Sequence, residues 1–127
     1  MRMDFFCVFD GHGGQNGALA AQVATDSANW AQLRTDPTRL FTNAFEQAHK
    51  AIRVAIKATS ADISEDSLCV LVEDGEAVDG GTTATVCVVI DGSTLIHAQV
   101  LLTSHYLASY ILHLISHSLS LISYLSH

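Results

Sequence analysis

The chain has 127 residues, 49% hydrophobic and 15% charged, with a formal net charge of −7. This is a one-domain length with apolar content for a modest core, and the acidic balance argues against nucleic acid as a partner. Three cysteines (Cys7, Cys69, Cys87) are odd in number and widely spaced, which excludes a disulfide framework or a Cys-x-x-Cys metal knuckle and makes a reducing compartment, cytoplasmic or nuclear, the default expectation.

Met1 to Asp4 is too short and too polar for a signal peptide. Phe5-Phe6-Cys7-Val8-Phe9 is a continuous apolar run and predicts a short strand buried on both faces. Directly after it comes Asp10-Gly11-His12-Gly13-Gly14. A buried strand is a rigid stalk, and polar groups at its tip are held in place while the loop stays open to solvent. Asp10 supplies a hard anionic oxygen of the kind Mg²⁺ or Mn²⁺ prefers. Gly11 lets the backbone approach an ion or oxyanion closely. His12 is the side chain best suited to move a proton near neutral pH. The plain alternative is an Asp-Gly turn with a solvated histidine. Rival motifs fail: a dinucleotide fingerprint counted from Gly11 needs Gly where Asn16 stands, no Gly-Lys pair exists for a phosphate loop, and no Gly-x-Ser-x-Gly elbow accompanies His12-Gly13-Gly14.

Gln15 to about Leu33 is alanine-rich and predicts a helix with a loose apolar stripe. Asp36 is placed to cap a second helix and Pro37 to occupy its first position. From there to about Ala58, Leu40, Phe41, Ala44, Phe45, Ala48, Ala51, Ile52, Ala55 and Ile56 recur at steps of three and four, the stripe of a core-packing helix. His49 and Arg53 are expected on its outer side. Thr59 to Gly80 predicts an acidic, irregular loop, its Glu65-Asp66 and Glu73-Asp74 pairs solvated rather than metal-binding. Thr82–Ile90 and Ser93–Val100, joined at Asp91-Gly92, predict a β-hairpin.

Phe6 to Gly14 resembles the signature of the metal-dependent protein serine/threonine phosphatases of type 2C, the PPM family. Gly81-Thr82-Thr83-Ala84-Thr85-Val86, followed by Leu95 to Val100, resembles that family's Gly-Ser/Thr-Thr-Ala strand and its partner, and together the two blocks place about residues 1–100. The resemblance implies an α/β (α+β) fold, here an incomplete four-layer α-β-β-α sandwich with antiparallel sheets. It implies dephosphorylation of a phosphoprotein substrate by a water activated between two Mg²⁺ or Mn²⁺ ions. In that chemistry two cations lower the pKa of a bridging water and neutralise charge on the phosphoryl oxygens. Carried over by position, Asp10 would bridge the metals, the Gly11 carbonyl would touch one of them, and His12 would protonate the leaving oxygen. The family's upstream arginine and Glu-Asp pair, and its two later aspartates, have no counterparts in the matching stretch. The expectation is therefore an enzyme family whose chemistry this chain supports poorly alone, in a protein prone to poor solubility or partial melting.

Charge is unevenly distributed. Residues 1–58 hold all six Lys/Arg against five Asp/Glu, residues 59–91 hold eight acids and no base, and residues 92–127 hold no Asp, Glu, Lys or Arg. The family would continue Val100 into Gly-Asp-Ser-Arg, but here Leu101-Leu102-Thr103-Ser104 opens a Leu/Ser/His tail. Three readings stand for 101–127. It is long enough to span a membrane, though its histidines and missing basic flank count against that. His113 and His117 have i, i+4 metal-ligand spacing, but Leu114 stands where a zincin needs Glu. The favoured expectation is a tail that is not family sequence. The rival function is a non-catalytic, membrane-tethered or partner-binding fragment.

Overall fold

The computed structural model describes residues 1–103 and 113–118. Strand β1 (Met3–His12) is followed by helix α1 (Asn16–Ser27), a single 3₁₀ turn (Trp30–Gln32) and helix α2 (Pro37–Lys57). Three short strands come next, β2 (Ser64–Glu65), β3 (Leu71–Glu73) and β4 (Glu76–Ala77), and then β5 (Gly81–Ile90), β6 (Thr94–Thr103) and β7 (His113–Ser118). The long strands form one antiparallel sheet in the order β1-β5-β6-β7; the short ones form a second, β2-β3-β4. This is the mixed α/β (α+β) class with antiparallel sheets that the sequence predicts.

Helix α2 is the firmest element. Asp36 accepts a hydrogen bond from the Arg39 backbone N–H at 3.1 Å and Pro37 stands in the first turn, so one orphan amide is satisfied and another is absent by chemistry. Of its predicted stripe, Leu40, Phe41, Ala44, Phe45, Ala48, Ile52 and Ile56 are buried, whereas Ala51 and Ala55 are half-buried. It packs with Ala20 and Ala24 of α1 on Ala84, Val86, Val88 and Ile90 of β5 and Ile96, Ala98, Val100 and Leu102 of β6. Alternation along the two strands sends these residues to the helix-covered face of the sheet. At the hairpin turn Asp91 and Gly92 both have positive φ (50° and 69°), the conformation a primed turn demands, and the Ser93 N–H donates to the Ile90 carbonyl at 3.0 Å.

Several expectations are corrected. The Phe5–Phe9 strand is not buried on both faces: β1 is an edge strand, with Phe6 and Val8 62% and 66% exposed. Among the described residues only its helix-facing side has a partner, where Phe9 packs against the core and Phe5 meets Trp30 edge-on at 5.4 Å. Helix α1 stops at Ser27, because Ala28 turns extended and the chain re-enters as a 3₁₀ turn that brings Trp30 to Phe5. His49 is not on the surface but 1% exposed, since it lies beside Ala48 and Ile52 on the inward side of α2.

The 59–80 stretch is largely exposed, as expected, but it is not irregular throughout, because β2, β3 and β4 run through it. Arg53, with a side chain only 14% exposed, reaches from α2 to Glu65 Oε1 at 3.0 Å and donates to the Cys69 carbonyl at 2.7 Å. Asp66 Oδ1 accepts from the backbone N–H groups of Leu68 and Val70, and Ser60 donates to Glu73. The carboxylates thus organise the β2-β3-β4 meander. His113 and His117 lie on strand β7, opposite Gln99 and Leu95, so their spacing is not that of a helix face. At about 3.3 Å per residue their Cα atoms stand ~13 Å apart, too far for one ion. The rest of the tail lies outside the described residues.

Candidate functional site

Asp10, Gly11 and His12 are the last three residues of β1, held in the ladder opposite Thr83, Thr82 and Gly81 rather than in an open loop. Successive strand residues face opposite ways. Gly11 faces the helices: a Cβ there would meet the Gly17 backbone nitrogen at 2.6 Å. Gly17 is crowded in turn: a Cβ there would meet the Phe9 carbonyl oxygen at 2.9 Å and the Gly11 nitrogen at 3.3 Å. Asp10 and His12 therefore share the opposite, open face of the sheet, where both are exposed.

The backbone beneath them is pinned from two sides. Buried Asn16, in the first turn of α1, donates through Nδ2 to the His12 carbonyl at 2.8 Å and the Gly13 carbonyl at 3.3 Å. Gly13 has φ 72°, and a Cβ there would lie 2.9 Å from Gly80 Cα and 3.0 Å from the Asp79 carbonyl oxygen. The end of β1, the start of α1 and the 79–81 segment thus meet backbone to backbone, which only glycines permit. Across this junction His12 Nε2 lies 3.1 Å from Asp79 Oδ1.

Of the residues singled out in the sequence, Asp10, Gly11 and His12 are brought together as a strand end. The sequence assigns no site role to Asn16, Gly17 or Asp79. Asn16 and Gly17 gain meaning only once α1 is folded back on β1. Asp79 is two residues before Gly81, and only the β1–β5 register carries it to His12. A cleft of about 360 Å³ beside the start of α1 is lined by Gly14, Asn16, Leu19, Ala55 and Ile56 among others, but not by Asp10, Gly11 or His12. It is a gap between α1 and α2, on the side away from the two polar side chains.

Mg²⁺ and Mn²⁺ are held by a shell of oxygen donors, which for Mg²⁺ is close to octahedral. Among the described residues no group of three or more His, Cys, Asp or Glu is placed to hold an ion. Asp10 and the Gly11 carbonyl offer oxygen donors of the right kind, but the described residues do not complete a two-metal site. Among them, too, no helix is long and apolar enough to cross a membrane.

The family model described as Protein phosphatase 2C matches residues 1–100, from the start of β1 to within β6. Comparison with curated proteins and with solved structures gives no significant match.

Proposed function

Because the chain belongs to the protein phosphatase 2C family, we propose that its β1 end is one part of a centre that removes phosphate from phosphoserine or phosphothreonine in proteins. The observation that carries the reading is the placement of Asp10 and His12 on one open face of a strand end whose backbone is locked by Gly11, Gly13, Asn16 and Gly17. A hard carboxylate and a proton carrier on a common rigid support are what hydrolysis of a phosphomonoester requires of its protein scaffold. Asp10 and the Gly11 carbonyl are the oxygen donors proposed for Mg²⁺ or Mn²⁺. His12 is the group proposed to hand a proton to the serine or threonine oxygen as it leaves.

The donor set of the described residues is short of a complete site, so the 127-residue chain by itself is expected to bind Mn²⁺ weakly and to release no phosphate. Mn²⁺ titration followed by electron paramagnetic resonance, alongside phosphate release from a phosphothreonine peptide, tests both statements. Weak Mn²⁺ binding that disappears in Asp10→Asn supports the reading. Mn²⁺ binding indifferent to Asp10, or metal-stimulated turnover that survives Asp10→Asn, overturns the assignment.

A further inference from the structure

We propose that Asp79 is the positioning residue for His12, fixing which ring nitrogen is free to meet a substrate. Nothing in the family resemblance points to this residue; the reaction role rests on the reading of His12 as the proton carrier, whereas the contact itself stands on geometry.

An ionised carboxylate only accepts hydrogen bonds, so in the 3.1 Å contact between His12 Nε2 and Asp79 Oδ1 it is Nε2 that carries the hydrogen. A ring nitrogen that donates in this way sets the tautomer of the neutral imidazole and leaves Nδ1 as the nitrogen with a free lone pair. Nδ1 is then the atom through which His12 faces a substrate oxygen.

The pair is not a chance meeting of two mobile side chains. His12 stands opposite Gly81 in the last rung of the β1–β5 ladder, and its carbonyl is gripped by Asn16. Asp79 lies two residues before Gly81, just ahead of β5, so the rung that pairs His12 with Gly81 brings it within reach of the His12 ring. Its backbone is held by the close approach of Gly13, at φ 72°, to the Asp79 carbonyl and Gly80. Both ends of the hydrogen bond are thus anchored in the same glycine junction. The side chains remain open, at 52% and 86% exposure. A pair of this kind biases a ring orientation by a small factor and contributes little to stability.

The test is chemical footprinting of the full 127-residue chain with diethylpyrocarbonate in dilute solution, at about pH 8, above the ordinary titration range of histidine. Modification of each histidine is read by peptide mass spectrometry. Buried His49 serves as the internal reporter of an intact fold. The expected result is that Asp79→Ala raises the modification rate of His12 by roughly two- to five-fold, the range open to an exposed pair. Asp79→Glu should return it towards the wild-type rate, and His49 should stay protected throughout. Asp79→Lys, which offers the ring N–H no acceptor, should raise the rate at least as much as alanine and stands in should the alanine variant lose His49 protection. Equal His12 rates in wild type, Asp79→Ala and Asp79→Lys would overturn the proposal, as would failure of glutamate to restore the slow rate. The footprint needs neither metal nor substrate. A failure of the metal-centre reading, seen as Mn²⁺ binding indifferent to Asp10, therefore leaves it unchanged, and the two failures are distinguished.

Discussion

Gly11 has no room for a side chain. Its conformation is ordinary strand, and what excludes larger residues is the Gly17 backbone nitrogen, 2.6 Å from where a Cβ would sit. Backbone cannot rotate aside as a side chain can, so Gly11→Ala must push α1 off the end of β1. Overpacking of this sort costs about 1–3 kcal/mol. The expected outcome is a urea midpoint lowered accordingly, with the modification rate of His12 altered as its support shifts; an unchanged midpoint would show that α1 yields without cost. In the sequence Gly11 stood out for close approach to an ion or oxyanion. The structure adds a role in helix packing that no single-residue reasoning could supply, because Gly17 is its neighbour only after folding.

Helix α2 shows which parts of the fold can be read in advance. Asp36 and Pro37 mark its start, and a stripe at steps of three and four marks its inner face. Local chemistry and tertiary environment agree there, so the bounds fall within a residue of expectation. Asp36→Ala removes the acceptor for the Arg39 N–H and should cost about 1 kcal/mol, measured by chemical denaturation. Asp36→Asn should restore most of it. The hairpin is equally legible, since Asp91-Gly92 is chosen by backbone conformation rather than by distant contacts. β1 and the acidic stretch were misread for opposite reasons. An apolar run does not say how many of its faces find partners, and the Phe5–Phe9 segment finds one. A scatter of carboxylates does not disclose that Arg53, on another element, will pair with one of them. His49 follows the same rule: a histidine on the inner half of a helix turn is carried inside by its apolar neighbours.

Across the whole molecule the helices cover one face of the four-stranded sheet, and the described residues leave the other open. That open face carries Phe6 and Val8, with Leu101 43% exposed on β6, beside the exposed residues Asp10 and Gln99. Apolar groups grouped on an uncovered sheet, at an edge with a free row of backbone donors and acceptors, favour self-association. Sedimentation velocity should show a concentration-dependent mass above 13.6 kDa, reduced in a Phe6→Thr, Val8→Thr double variant that keeps the β-branched preference for strand. A monomer at every concentration would count against an adhesive face. The class of fold was legible in the sequence, and so was the Asp10-Gly11-His12 triplet as a strand end followed by glycines. Which face that triplet occupies was not, because the answer depends on register between strands some seventy residues apart.

The alternation at the end of β1 has a consequence for how this site can vary. Gly11 looks inward and its neighbours outward, so the packing of α1 rests on the middle letter of a three-residue word whose outer letters stay open. Substitution at position 10 or 12 leaves the framework standing; substitution at position 11 disturbs the framework and drags both neighbours with it. The missing side chain at Gly11 thus serves the seating of α1 on β1, separately from anything its carbonyl holds.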